Sequence, residues 1–210
     1  MKTSTHRHLL WKESVTLLPG IFMVILSSSF MVNCTSPKPE PEKPAQLSQQ
    51  ELIKRGKYLT TIGACHDCHS PKIMTPQGPE PDPARIFSGH PQDEQIPPIV
   101  NNPDWIFFNQ GLTAFVGPWG VSFSANLTPD DTGIGRWSFQ HFETAIRKGK
   151  SKGIEQNRDL LPPMPWQMYK SFTDEDLLAV FTYLKSIKPI KNQVPAPIAP
   201  ADMMTLNTSQ

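Results

Sequence analysis

Three side chains in the pentapeptide Cys65-His66-Asp67-Cys68-His69 have the types and spacing to do chemistry together. Two thiols three positions apart lie on one helical turn, where both can add to the vinyl groups on one edge of a porphyrin. The histidine that follows then turns its imidazole toward the iron as the proximal ligand. This is the spacing of covalent c-type haem attachment, so one haem c is expected, with thioethers at Cys65 and Cys68 and His69 on the iron. A zinc centre needs a second pair of ligands at matching spacing, and no cysteine follows Cys68. A thioredoxin-like redox pair needs a βαβ setting, and the sequence shows none.

The sixth iron ligand decides between electron transfer and ligand chemistry. Candidates are Met74, Met164, Met168, His90 and His141. Met74 follows His69 by only five residues and cannot reach the opposite porphyrin face. Met164 sits in Leu161-Pro162-Pro163-Met164-Pro165, where flanking prolines hold an extended loop and fix the direction of the thioether. A soft thioether on iron raises the reduction potential and closes the site. Met164 is therefore the assigned ligand. Met168 and the two histidines remain the alternatives; if they do not ligate, Met168 packs at a loop-to-helix junction, His90 is a loop residue and His141 a helix-surface residue. Trp119, Arg136 and Trp137 are candidates for haem packing or propionate contact, or else for ordinary core and surface roles.

Three helices must position these groups. Ser48-Gln49-Gln50-Glu51 is a capping-box start for a helix that runs up to Cys65. Ser138 caps a second, with Phe139, Phe142 and Ile146 on one face and Gly149 at its end. Thr173 begins the third, where Leu177, Val180, Phe181, Leu184 and Ile187 form one stripe. Proline is abundant, 23 in 210 residues, roughly twice the usual frequency of about 5%. Nine of these fall between residues 71 and 103 without any sustained period, which reads as a long irregular segment wrapped around something. A haem would supply the apolar nucleus that such an interrupted chain lacks. The expected fold is mainly α, a helical domain around one covalent haem with long proline-rich loops. It spans 48–192, and the proline-containing tail over 193–210 is expected to be disordered.

The first 33 residues read as targeting. Lys2, Arg7 and Lys12 precede an apolar stretch from Leu17 to Val32 that is short for a membrane span and broken by Pro19-Gly20. Cys34 follows at once, and the arrangement resembles a bacterial lipoprotein signal in which that cysteine is lipidated; Asn33 stands where Gly, Ala or Ser is usual. The alternative is a cysteine inside a simple cleaved signal. Residues 34–47, with Pro37-Lys38-Pro39-Glu40-Pro41, then form a semi-rigid tether. These readings place the domain outside the cytoplasm, on the periplasmic side, held to a membrane by a lipid anchor. The formal net charge of +1 argues against a nucleic-acid partner, and one apolar segment argues against a multi-pass membrane protein.

With these motifs in order, the chain resembles a class I cytochrome c domain. It is similar in particular to the cytochrome c modules of bacterial membrane-bound dehydrogenase electron-acceptor subunits and their single-haem relatives. The matching segments cover 48–190. They are Arg55 to Leu59, Cys65 to His69, Ser88-Gly89-His90-Pro91, Trp119 to Ser122, Asn126 to Asp130, Thr132 to Trp137, Leu161 to Pro165, and Asp176 to Lys185. The resemblance implies Met164 as distal ligand and a crossing of the first and last helices at Gly56, with Tyr183 and Leu184 facing it. It departs from the compact pattern in spacing, because the chain between His69 and Met164 carries a surplus over 71–125. The implied function is electron transfer with redox partner proteins, a dehydrogenase donor or an oxidase or cytochrome acceptor. The competing readings are a haem enzyme or small-ligand sensor with an open or labile sixth position, and a passive subunit whose haem is a folding nucleus.

Overall fold

The computed structural model describes residues 46–97 and 104–203. The expected signal over 1–33, Cys34 and nearly all of the tether lie outside the described residues.

Helix α1 (Gln49–Ile62) starts at the capping box. Ser48 Oγ accepts from the Glu51 N–H at 3.3 Å, while Glu51 Oε2 accepts from the Ser48 N–H at 2.8 Å. After Gly63, Ala64 in the left-handed region (φ 54°) breaks the chain direction and restarts it as the single turn α2 (Cys65–His69). Helix α3 (Phe139–Lys148) begins at Ser138 and ends at Gly149, whose φ of 66° suits a residue without Cβ. A short α4 (Trp166–Tyr169) follows the proline loop, and α5 (Asp174–Ser186) closes the helical part with Thr173 as its N-cap.

Helices α1 and α5 cross where α1 has no side chain. A Cβ on Gly56 would stand 2.0 Å from the Ala179 carbonyl oxygen and 2.7 Å from Tyr183 Cβ. The core gathers around this crossing: Leu59 from α1, Phe87, Ile134, Phe142 from α3, and Leu177, Val180 and Leu184 from α5. Leu177 and Leu184 are 0% and 1% exposed. Truncating either to Ala would cost about 2–5 kcal/mol.

The 71–125 surplus carries regular structure, part of it inside the 71–103 segment expected to be irregular. It contains an antiparallel hairpin, β1 (Lys72–Thr75) with β2 (Gly78–Pro81), in the register Lys72 to Pro81 and Thr75 to Gly78. Pro79 and Pro81 are tolerated because a two-stranded sheet has only edge strands. It also contains a three-stranded antiparallel sheet in the order β3 (Phe107–Phe108), β4 (Ala114–Gly117), β5 (Gly120–Phe123). Among the described residues the fold therefore combines five α-helices with two small sheets that the helical expectation did not include.

The disordered tail expected over 193–210 is corrected for residues 193–203. Ile198 exchanges both backbone hydrogen bonds with Val121 of β5, at 2.9 and 3.0 Å, and Met203 is buried. Pairing with β5 and an apolar anchor outweigh the low local order that the prolines of this segment imply. Residues 204–210 lie outside the described residues.

Candidate functional site

Helix α2 carries Cys65, Cys68 and His69 on one turn, directly after the Gly63-Ala64 break. Both cysteines are free thiols and half-buried. Burial pushes the Cys65 thiol up to about 11, and burial also raises Cys68. Such thiols stay protonated near neutral pH, unlike the low-pKa thiolates of redox catalysts. Among the described residues no group of three or more His, Cys, Asp or Glu side chains is arranged to hold a bare metal ion.

The orientation of His69 is fixed through space by a residue distant in sequence. Its Nδ1 lies 2.8 Å from the Ala125 carbonyl oxygen. A carbonyl can only accept, so Nδ1 carries the proton and Nε2 keeps its lone pair for a metal. Burial, and behind it the Lys72 charge, hold the imidazole below its ordinary proton affinity against the pull of that carbonyl. The segment bearing Ala125 is held in turn by Gly89. The Gly89 N–H donates to the His69 carbonyl at 2.9 Å, and the neighbouring His90 N–H donates to the Ser124 carbonyl at 2.9 Å. Gly89 has φ +77°, and a Cβ there would strike Ser124, Ala125 and Asn126 backbone atoms at 2.5–2.7 Å. Only glycine permits this approach.

A second layer locks those loops to the chain after α5. The buried Asn192 amide donates to the Ser88 and His90 carbonyls at 2.6 and 2.8 Å and accepts from the Gln92 N–H at 2.9 Å. The Asn126 amide donates to the Ile190 carbonyl at 2.8 Å and accepts from the Thr128 N–H at 2.9 Å. Inside the pentapeptide, His66 turns away from solvent and packs its ring on Phe87 at 4.1 Å.

Lys72, the first residue of β1, closes the other end of α2. Its Nζ donates to the carbonyls of Ser70 at 2.6 Å, Asp67 at 2.8 Å and His66 at 3.3 Å, and reaches Gly111 at 3.4 Å. The proline loop approaches from the far side of the sequence. Met164 is half-buried, its N–H donates to the Leu161 carbonyl at 3.3 Å, and the Pro162 carbonyl accepts from Ser122 Oγ at 2.6 Å. Helix α4, which follows that loop, is tied to the cysteine turn by the Tyr169 hydroxyl, which donates to the Gly63 carbonyl at 2.6 Å.

His141 caps α3, with its Nδ1 accepting from the Ser138 N–H at 3.2 Å. His90 is buried against Phe123, with its Nδ1 3.0 Å from Thr113 Oγ1 and its Nε2 without a hydrogen-bond partner among the described residues. Met168 and Met74 are 73% and 70% exposed. The Trp119 indole N–H donates to Ser122 Oγ at 3.2 Å, Arg136 pairs with Asp131 at 2.7 Å on the surface, and Trp137 packs against the core. The sequence points to α2 and the proline loop. It does not point to Ala125, Lys72, Asn192 or Tyr169, whose roles arise from contacts that local spacing does not reveal; Gly89, inside Ser88-Gly89-His90-Pro91, is the one visible signal.

The donor set fits a c-type haem. Two thiols leave one turn, a neutral imidazole keeps Nε2 free, and the Met164 thioether belongs to a loop whose following helix, α4, is hydrogen-bonded to Gly63 just ahead of that turn.

No family model matches the chain. Comparison with characterised proteins finds cytochrome c subunits of dehydrogenases across most of its length. It is 33% identical over 141 residues to the gluconate 2-dehydrogenase cytochrome c subunit of Pantoea cypripedii, a match covering 66% of this chain and 24% of that subunit. It is 39% identical over 141 residues to the cytochrome c subunit of the quinone alcohol dehydrogenase of Gluconacetobacter polyoxogenes, covering 66% and 23%. A third relative, the fructose dehydrogenase cytochrome subunit of Gluconobacter japonicus, is 28% identical over 174 residues, covering 79% and 29%. The chain thus spans under a third of the length of each of these relatives.

Proposed function

We propose that this chain, a relative of the c-type cytochrome subunits of membrane-bound dehydrogenases, transfers electrons outside the cytoplasm through one covalent haem c. Cys65 and Cys68 form the thioethers, His69 is the proximal ligand and Met164 the distal one. The haem supplies one-electron exchange between ferric and ferrous iron. The protein's own part is to fix the ligands, so that little rearranges when the charge changes.

The observation that carries this reading is the His69–Ala125 hydrogen bond. With a carbonyl as acceptor the proton belongs on Nδ1, which supports the reading by freeing the Nε2 lone pair for a metal and making the imidazole a stronger donor. The raised thiol of Cys65 favours a structural attachment over thiol redox chemistry. The proline loop around Met164, pinned by Ser122, favours a closed sixth position over a ligand-binding one. Partners are redox proteins, with a dehydrogenase as donor, in keeping with the subunits to which the chain is related. Residues 1–33 direct export, and lipidation at Cys34 with the 34–47 tether holds the domain beside a membrane. Among the described residues no helix is long and apolar enough to cross one.

The test is denaturing electrophoresis with haem staining, in a bacterial host that attaches haem c. The parent keeps its stain after denaturation, and the double variant Cys65→Ala, Cys68→Ala loses it. Stain retained by the double variant would overturn the attachment.

A further inference from the structure

The geometry points to Lys72 as the residue that sets the reduction potential of this site, a cation fixed on the proximal side that disfavours the oxidised state. The inference rests on the haem reading above and goes beyond it by naming a positioning and tuning residue outside the attachment motif.

The Lys72 ammonium is not an ordinary surface charge. It stands three residues after His69, half-buried, and all four of its hydrogen-bond partners are backbone carbonyls: His66, Asp67 and Ser70 around the end of α2, and Gly111 from the loop before β4. Among the described residues no carboxylate lies within ion-pair distance of it. Carbonyl dipoles hold the charge, and the Asp67 carboxylate, beyond ion-pair distance, offsets only part of it. Of the other lysines and arginines with short contacts, most pair with Asp or Glu, while Lys185 donates to the Ile134 and Gly135 carbonyls and Arg158 to that of Asp159.

A charge held this way acts on whatever changes charge at His69. Oxidation adds one positive charge there, and a second fixed positive charge nearby opposes it. Water screens such a pair weakly when one member is tethered and partly desolvated, so the effect should persist as salt rises. The hairpin that presents Lys72 belongs to the 71–125 surplus, which gives that stretch a function at the site. It delivers a cation to the proximal side and, through Gly111, braces α2 against the loop before β4.

Two roles must be separated, because the same ammonium also caps the helix. Lys72→Gln removes the charge while its amide can still donate to the Ser70 and Asp67 carbonyls. Lys72→Met removes both, and Lys72→Arg keeps the charge. Each purified haem protein is equilibrated with a redox standard of known potential and read by its reduced-minus-oxidised spectrum. We expect the glutamine and methionine variants to shift the equilibrium toward the oxidised form by about tenfold, equivalent to about 59 mV for a one-electron couple. The arginine variant should stay within about twofold of the parent. The shift should survive an increase in ionic strength. A glutamine variant with the parent's equilibrium, whatever its melting temperature, would overturn the proposal and leave Lys72 as a helix cap only. If the methionine variant does not fold, the glutamine and arginine pair decides. A parent protein that carries no haem would instead overturn the haem reading itself, a result distinct from either.

Discussion

Gly89→Ala is the perturbation that ties the fold to the site most tightly. The new Cβ would lie 2.5 Å from the Ser124 carbonyl oxygen, 2.6 Å from the Ala125 carbonyl carbon and 2.7 Å from the Asn126 nitrogen. All three are backbone atoms, so no side chain can swing aside. To regain 3.4 Å the 124–126 segment must retreat by roughly 0.9 Å. A retreat of that size weakens or breaks the 2.8 Å bond from His69 to Ala125. Left-handed backbone at φ +77° adds strain of about 1–2 kcal/mol for a residue with a Cβ. Overpacking adds about 1–3 kcal/mol, and the lost hydrogen bond about 1 kcal/mol. At about 2–4 °C per kcal/mol for a domain of this size, the melting temperature falls by on the order of 10 °C. The control is Gly78→Ala, where φ is +117° but nothing lies within 4 Å of the new Cβ, so only the strain is incurred. Thermal melts of the two variants, followed by spectroelectrochemistry, read both consequences. A weaker His69–Ala125 bond makes the imidazole a poorer donor to ferric iron, so the potential of Gly89→Ala should rise. Melting as mild as that of Gly78→Ala, with an unchanged potential, would refute the claim that Gly89 positions the proximal ligand.

Met164→Ala should leave the haem attached, lower the potential and let carbon monoxide bind the reduced protein; Met168→Ala, at an exposed position, should change neither. A larger spectral change in Met168→Ala would transfer the ligand assignment to that residue. Cys34→Ser should release the protein from the membrane fraction, and fractionation identical to the parent would restore the simple signal-peptide reading. Asp82 is held below the usual carboxylate range by the Arg85 guanidinium and then by the Ala84 N–H. Its folded state favours the ionised form, so its contribution is present above the ordinary value of about 3.9 and is lost as pH falls through the lowered one. Asp82→Asn should therefore be less stable than the parent at pH 7 by under about 1 kcal/mol, since Arg85 is exposed. That gap should close in acid; one that widens would contradict the assignment.

Local signals in the sequence reach as far as local physics does. Ser48 with Glu51, Ser138 with Gly149, and Thr173 with its acidic turn mark the helix ends, because a cap is a contact within a few residues. The cysteine turn is legible for the same reason. The β4–β5 pairing is not, since Ala114-Phe115-Val116-Gly117 and Gly120-Val121-Ser122-Phe123 are too short to show an alternation and are buried on both faces in part. Ile198 carries no local sign of order because its partner, Val121, is distant in sequence. His69–Ala125 and Asn192–Ser88 span 56 and 104 residues, and no spacing rule connects such pairs. In sequence Lys72 resembles any other solvated lysine, and only the hairpin turns it onto α2.

A covalent haem that cycles by one electron between His69 and Met164 is the central claim. It is tested most directly by a potentiometric titration of the purified, exported protein, followed by its reduced-minus-oxidised spectrum, after extraction of any haem that is not covalently held. The expected result is one haem retained per chain, a single reversible one-electron transition, and no change when carbon monoxide is added to the reduced form. Haem lost on extraction would contradict the attachment, and ready binding of carbon monoxide by the parent would contradict the closed electron-transfer site.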